Sequence, residues 1–189
     1  MIYIAIAGGI GSGKSMIAQL LRVMNYPVYD TDSRARQLMN ESQPIKRLLI
    51  EAFGSSTYEN HKLNRNYLST IVFKDSAALK KLNAIVHPAV KQDFENWAQK
   101  QKSHIVFFET ALLYESHMDS IAQEIWKIDA PIGMRIERVK RRNAMQEDDI
   151  KRRMAAQTEE LRPNEKDRLI INDNSNALMP QVIELIRQL

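Results

Sequence analysis

The sequence has no cysteine, only six glycines and no long apolar run. Without cysteine the chain cannot form a disulfide or bind zinc through thiolates, which fits a reducing compartment. No stretch approaches the roughly 18 apolar residues of a membrane-spanning helix, and the first residues lack the basic start of a secretory signal. We therefore expect a cytoplasmic protein with no membrane partner.

A strong excess of charge is also absent, since 27 basic and 23 acidic residues leave a net charge of +4. So mild an excess permits an anionic ligand without indicating nucleic acid, and the sequence shows no nucleic-acid recognition motif. We expect no nucleic-acid partner, and the sequence leaves the oligomeric state open. The length of 189 residues fits a single domain over 1–189.

Strand-like and helix-like segments alternate along the chain. Apolar segments of strand length lie at 2–7, 27–29, 105–108, 125–128 and 169–171. The first is apolar throughout, as in a strand buried on both faces of a parallel sheet. Five such strands separated by helices predict an α/β fold with a doubly wound five-stranded parallel sheet.

The alternation is interrupted between the second and third predicted strands. From about 60 to 101 no segment is strand-like and apolar residues recur at helical spacing, which predicts a helical lobe. Pro88 suits the first position of one of its helices, with His87 as the residue that starts it. Such a lobe fits either an acceptor-binding role or simple packing, and the residues favour neither.

Four of the six glycines lie between Gly8 and Gly13, and the pattern G-x-x-x-x-G-K-[ST] runs from Gly8 to Ser15. Glycines let backbone N–H groups approach phosphate oxygens, and the helix that follows adds its N-terminal dipole. In this pattern Lys14 contacts the β- and γ-phosphates, and the Ser15 hydroxyl binds Mg²⁺. The predicted strand before the pattern and the predicted helix after it indicate a P-loop.

Asp30 and Asp32 lie at the carboxyl end of the second predicted strand, where ligands bind in doubly wound sheets. We expect one carboxylate to accept the proton of an attacking hydroxyl and the other to orient Mg²⁺. The alternative is that one of them caps a helix predicted to start near Ser33.

The most basic segment is 134–153, where Arg135, Arg138 and Arg142 share one face of a predicted helix. The acidic run 147–149 favours the start of a second helix. The pair is interpreted as a lid whose arginines each bind phosphate oxygens at two points. A solvated charged hairpin is the alternative.

A P-loop occurs in switches, motors and kinases. The sequence has no D-x-x-G switch, its N-E-K-D at 164–167 is not the N-K-x-D of a GTPase, and the chain is short for a motor. A small-molecule kinase fits best. The residues leave open a kinase of nucleoside monophosphates, and also a non-catalytic nucleotide-binding module that holds a partner through its basic segment.

The sequence resembles the dephospho-CoA kinase family almost from end to end. The P-loop is common to many families, whereas the series D-x-D, H-P, L-L-x-E and R-x-x-x-R…R-x-x-x-Q in this order is far more discriminating. The matching segments are GGIGSGKS at 8–15, VYDTDSRAR at 28–36, FG at 53–54, LNRNYLSTIVF at 63–73, LNAIVHPAV at 82–90, ALLYE at 111–115, RVKRRNAM at 138–145, RRMAAQ at 152–157 and KDRLIIND at 166–173.

The resemblance implies transfer of the ATP γ-phosphoryl group, with Mg²⁺, to the ribose 3′-hydroxyl of dephospho-CoA, the last step of coenzyme A biosynthesis. Asp32 aligns with the family's proposed base, Arg138 and Arg142 align with its lid arginines, and 60–101 corresponds to its acceptor domain. We expect catalytic roles for Asp32, Lys14 and Arg142, and Mg²⁺ contacts from Ser15 and Asp30. Nucleotide contacts are expected from Gly8, Gly11, Ser12, Gly13, Lys14, Ser15, Met16, Arg138 and Asn172.

Three residues depart from the family's pattern. Met16 replaces a hydroxyl residue found in many members, and Ala111 replaces a common proline. Glu109 follows a predicted strand as a Walker B acid would, although the family does not consistently have a carboxylate there. Its contribution to a Mg²⁺ site is left open.

Overall fold

The structure, a computed structural model, describes residues 1–143, 145–155, 157 and 163–189. The strands are β1 (Ile2–Ala7), β2 (Val28–Asp30), β3 (Tyr58–Glu59), β4 (Lys62–Leu63), β5 (Ile105–Glu109), β6 (Glu124–Asp129) and β7 (Asp167–Ile171). The helices are α1 (Lys14–Val23), α2 (Thr31–Glu41), α3 (Gln43–Phe53), α4 (Arg65–Val72), α5 (Ser76–Ala98), α6 (Ile132–Asn143), α7 (Glu147–Ala155) and α8 (Leu178–Arg187). None of these helices is long and apolar enough to cross a membrane.

The chain divides into two units. The sheet unit comprises Met1–Asp30 and Gln101–Leu189, and the helical unit comprises Thr31–Lys100. In the sheet unit the five strands lie in the order β2-β5-β1-β6-β7, and all of their pairings are parallel. The predicted doubly wound parallel sheet is therefore confirmed.

The core of the sheet unit explains why β1 is apolar throughout. β1 is the central strand, and its residues Ile4 to Ala7 are buried on both faces of the sheet. Ile17 and Leu21 of α1 pack into a core that also contains Trp126 of β6 and Val182 of α8. This packing fixes the start of α1 just beyond the end of β1, where the glycines lie.

The helical unit corrects two predictions. Strand β4, which forms a short hairpin with β3, lies within the segment from about residue 60 for which no strand was expected. The hairpin turn is made by Asn60 and His61 at φ 48° and 64°. Pro88 is inside α5, so neither Pro88 nor His87 starts a helix. Buried Val86 and Val90 on either side of the proline pack into the unit, which offsets the helix hydrogen bond that proline lacks.

Candidate active site

The glycine-rich loop, residues 8–13, joins β1 to α1. Gly8 has φ 142° and Gly13 has φ 100°, values in the region that favours glycine. A Cβ on Gly8 would collide with the carbonyl oxygen of Ile128 in β6, and a Cβ on Gly13 would collide with the side-chain amide of Asn172. The loop is therefore shaped by close contact with β6 and with the residue that follows β7.

Lys14 begins α1, and its side chain folds back over the loop. Its Nζ donates a hydrogen bond to the carbonyl oxygen of Gly8 at 2.7 Å. Ser15 and Met16 lie exposed on the first turn of the same helix, and 55% of Met16 is accessible to solvent. This places an ammonium group and a hydroxyl at the same end of the loop.

Ser12 has the loop's polar side chain and is buried, with 1% of its surface exposed. Its carbonyl oxygen accepts hydrogen bonds from Asn172 Nδ2 at 2.8 Å and from Arg138 Nη1 at 3.3 Å. Its Oγ has no hydrogen-bond partner in the part of the chain that the structure describes. The buried backbone of the loop is thus bound to two residues of later elements.

Asn172 follows β7 directly and is 3% exposed. Its backbone N–H donates to the carbonyl oxygen of Asp129 at 2.8 Å, which ties the end of β7 to the end of β6. Because its side-chain amide then donates to Ser12, Asn172 connects both strand ends to the loop. Asn172 was predicted as a nucleotide contact, whereas its support of the loop was not predicted.

Arg138 lies in α6 and bonds to the same cluster. Its Nη2 donates to Asn172 O at 3.0 Å, to Asn172 Oδ1 at 3.2 Å and to Asn174 Oδ1 at 3.1 Å, and its Nη1 lies 3.5 Å from Gly11 O. Arg142 is one turn further along the helix and is exposed, and its Nε donates to Asn143 Oδ1 at 2.7 Å. The structure therefore brings Arg138 to the loop and leaves Arg142 at the end of α6.

Helices α6 and α7 form a hairpin with its own small core. Ile136, Val139 and Ile150 are buried in it, and Ile10 of the loop packs against them. The backbone N–H of Ile10 also donates to Gln157 Oε1 at 2.8 Å. Gln157 is part of a family motif, but this contact was not predicted. The predicted lid at 134–153 includes residue 144, which lies outside the described residues.

Several charged side chains on the surface of this hairpin form ion pairs. Glu147 Oε1 lies 2.8 Å from Lys151 Nζ, and its Oε2 lies 3.6 Å from Lys140 Nζ. The hydrogen bond from Lys151, with the charges of both lysines, lowers the pKa of the Glu147 carboxyl. The start of α7 is thus joined to the end of α6.

Asp30 and Glu109 are neighbouring carboxylates at the carboxyl edge of the sheet. Asp30 ends β2, Glu109 ends β5, and the two residues are partners in the parallel register. Side chains of register partners point to the same face, with strands about 4.8 Å apart. Mg²⁺ needs only one or two protein carboxylates beside phosphates and water, so Asp30, Glu109 and the Ser15 hydroxyl fit this ion.

The described residues contain no group of three or more histidine, cysteine or acidic side chains that could hold a metal.

Asp32 is exposed in the first turn of α2, in the helical unit. Because α2 begins at Thr31 and not near Ser33, the strand ends between the two aspartates, and Asp32 is inside the helix instead of capping it. The two carboxylates therefore belong to different elements.

A pocket of about 430 Å³ opens beside the hairpin and the ends of β6 and β7. Four of its seven lining residues are apolar. The carboxylate of Asp173, another lining residue, accepts backbone hydrogen bonds from Ser175 and Asn176. These bonds lower the pKa of Asp173. The lining residues are Asp129, Ala130, Pro131, Ile132, Arg135, Ile171 and Asp173.

The sheet order, the glycine-rich loop between β1 and α1, and the basic hairpin after β6 together define a P-loop kinase. The family model for dephospho-CoA kinase matches residues 2–178, and the chain therefore belongs to the dephospho-CoA kinase family. Members of this family are ATP-dependent kinases of coenzyme A biosynthesis.

The chain is similar to individual relatives and solved structures over nearly its whole length. A dephospho-CoA kinase of Porphyromonas gingivalis is 36% identical over 188 residues, which span 98% of this chain and 93% of the relative. A crystal structure from Thermus thermophilus is 32% identical with a TM-score of 0.83, covering 99% of this chain and 96% of the other. The dephospho-CoA kinase of Campylobacter jejuni is 21% identical, covers 98% of this chain and 96% of its own, and has the same fold at a TM-score of 0.69. The family resemblance stated from the sequence is confirmed.

Proposed function

We propose that the enzyme transfers the γ-phosphoryl group of ATP to the ribose 3′-hydroxyl of dephospho-CoA, releasing CoA and ADP in the cytoplasm. Membership of the dephospho-CoA kinase family is the observation on which this proposal chiefly rests. The geometry of the sheet unit supports it, because a glycine-rich loop at a helix N-terminus presents backbone N–H groups to a phosphate chain.

In this proposal the Lys14 ammonium group changes its hydrogen-bond partner when ATP binds. Its ammonium group bonds to the Gly8 carbonyl in the structure. The β- and γ-phosphate oxygens of ATP carry more negative charge than a carbonyl, so Lys14 would turn to them when the nucleotide binds. Gly8, Gly11, Ser12 and Gly13 would supply the backbone that surrounds the phosphates.

Asp32 is proposed as the group that accepts the proton of the 3′-hydroxyl. As the oxygen attacks the γ-phosphorus, its bond to hydrogen breaks, the proton passes to the carboxylate, and the bond to the β–γ bridging oxygen breaks to release ADP. The exposed position of Asp32 in the first turn of α2 leaves its carboxylate accessible to an acceptor. The helical lobe at 60–101 is proposed to bind that acceptor.

Mg²⁺ is proposed to be held by Ser15 and Asp30, with Glu109 beside them. When bound, the ion would neutralise charge on the β- and γ-phosphates. The register pairing of Asp30 with Glu109 supports this assignment, because it places two carboxylates side by side. Met16, exposed beside Ser15, offers the nucleotide only its backbone and an apolar side chain.

Arg138 and Arg142 are proposed to bind phosphate oxygens from the lid side. Arg138 already lies at the glycine-rich loop, whereas Arg142 would reach the phosphates by a movement of the hairpin. Asn172, which holds the loop, would lie beside the adenine. Both arginines carry the planar fork that contacts phosphate at two points.

The release of ADP in the presence of different acceptors tests the proposal. We expect dephospho-CoA to stimulate release strongly over the rate without acceptor, and AMP, UMP and CMP to have little effect. Stimulation by a nucleoside monophosphate alone would identify another small-molecule kinase. Slow ATP turnover that no acceptor changes, together with salt-sensitive binding of polynucleotide, would identify a binding module instead.

A further inference from the structure

Arg135 is a buried arginine beside the glycine-rich loop, with 5% of its surface exposed. It lies in the first turn of α6, where its backbone N–H donates to the carbonyl oxygen of Pro131 at 3.0 Å. Its Nε donates to the carbonyl oxygen of Ile10 at 2.9 Å. The side chain therefore points into the loop, unlike the exposed Arg142 at the other end of the helix.

The guanidinium group occupies the space next to Gly9. A Cβ on Gly9 would collide with Arg135 Nη2 and would lie 2.9 Å from its Cζ. A Cβ on Gly11 would collide with the backbone carbonyl of Arg135. Gly9 and Gly11 thus pack against the side chain and the backbone of one residue. This contact accounts for Gly9, whose φ does not require glycine, and it adds to the positive φ of 78° at Gly11.

The charge of Arg135 is poorly compensated. Its Nη2 has no hydrogen-bond partner, and the guanidinium forms no salt bridge, within the described ranges of the chain. Burial lowers the pKa of Arg135 from its ordinary value, and the charge of Asp129 acts in the opposite direction. Since arginine stays protonated in proteins, a buried cation lies beside the loop that carries the phosphate-binding pattern.

We propose that Arg135 is a positioning residue for the glycine-rich loop, holding Gly9 to Gly11 in the shape that accepts phosphates and favouring the polyphosphate chain by its buried charge. This inference rests on the proposed function only in that the loop binds the phosphates of ATP. It is independent of which acceptor the enzyme phosphorylates. The N–H groups of an arginine fork and its charge both contribute, so lysine replaces it incompletely.

Calorimetric titrations with ADP and with inorganic tripolyphosphate, in the absence of acceptor, test the proposal. Adenosine, which has no phosphate, is the control ligand, and its binding is measured by competition. Arg135→Gln keeps a side-chain N–H donor and removes the charge. We expect the Kd of both phosphate ligands to rise at least about tenfold, the usual scale of a charge-assisted contact, and adenosine binding to change less than twofold. Arg135→Lys should lie between wild type and Arg135→Gln.

Two further variants separate positioning from a general loss of charge or of folding. Arg187→Gln in α8 is the charge-matched control, because Arg187 is exposed near the end of that helix, and it should bind all ligands as wild type does. Gly9→Ala places a methyl group against the guanidinium and should weaken tripolyphosphate binding with Arg135 intact. Combined with Arg135→Gln it should add little, since both changes disturb one contact.

An unchanged Kd for ADP and tripolyphosphate in Arg135→Gln would overturn the inference. Equal weakening of adenosine, or full additivity with Gly9→Ala, would overturn it as well, because the effect would then be a general disturbance of the fold. If Arg135→Gln does not fold, Arg135→Lys and Gly9→Ala decide in the same way. Failure of the wild-type protein to bind either phosphate ligand would overturn the proposed function together with this inference.

Discussion

Replacing Asn172 with alanine distinguishes support of the glycine-rich loop from direct contact with the nucleotide. The side chain is buried, donates to Ser12 O at 2.8 Å and accepts from Arg138 Nη2 at 3.2 Å. A neutral buried hydrogen bond contributes about 1 kcal/mol and one to a charged group about 1.5–3 kcal/mol. Arg138 keeps its bond to the Asn172 carbonyl, so we expect a loss of about 2–3 kcal/mol in the free energy of unfolding.

Thermal unfolding without nucleotide measures this loss. For a chain of this size each kcal/mol lowers Tm by about 2–4 °C, so Asn172→Ala should unfold roughly 4–12 °C below wild type. Its affinity for ADP should also fall, because the loop loses the bond that holds Ser12. The lower Tm of the nucleotide-free protein is the result that distinguishes loop support from a direct nucleotide contact.

Asn174→Gly is the matched control. Asn174 is exposed, and among the described residues its side chain bonds only to Arg138, at 3.1 Å. Glycine tolerates its φ of 67°. This variant should unfold within about 2 °C of wild type, as surface changes usually do. If Asn172→Ala left the unfolding of the nucleotide-free protein unchanged and only weakened ADP binding, Asn172 would be a nucleotide contact and the reasoning from loop support would be refuted.

Four other substitutions test the remaining assignments. Lys14→Ala should abolish transfer and weaken ATP binding in a coupled ADP assay, and near-normal turnover would contradict the P-loop kinase mechanism. Arg142→Lys keeps the charge but loses the fork, so kcat should fall, whereas full activity would make Arg142 a solvated cation. Asp32→Asn should lower turnover by about 10²–10⁴ with little change in ATP affinity, and retention of more than about a third of the activity would exclude Asp32 as the base. Tyr58 donates to Met39 O at 2.6 Å and burial raises its pKa to about 12. Since unfolded tyrosine titrates near 10, stability in urea should fall between about pH 10 and 12 in wild type and less in Tyr58→Phe.

The sheet was predictable because each of its five strands contains a short run of mostly apolar residues. β1 is a continuous apolar run, because a strand that is buried on both faces does not alternate between apolar and polar residues. The two-residue strands β3 and β4 were missed because so short a hairpin has no periodicity, only a turn at Asn60 and His61. The helix start predicted at Pro88 was wrong for a different reason. Proline favours the first position of helices in general, and only the packing around α5 shows that this helix continues through Pro88.

The candidate site was predictable in its residue types and less so in its contacts. Helical spacing placed Arg135, Arg138 and Arg142 on one face of a helix. It does not show that α6 leads away from the loop, so that Arg135 is buried and Arg142 is exposed. Asn172 and Gln157 reach the loop from distant parts of the sequence. The spacing of residues along the chain does not indicate such long-range contacts, which are seen only in the folded sheet unit.

The position of the transferred phosphate tests the central claim most directly. Wild-type enzyme would be incubated with ATP labelled at the γ-phosphorus, Mg²⁺ and dephospho-CoA, and the product would be analysed by ³¹P NMR and mass spectrometry. The account predicts that the label appears in stoichiometric amount with ADP as a single phosphomonoester at the ribose 3′-oxygen of CoA. Label found only in inorganic phosphate, or at another position of the acceptor, would contradict it.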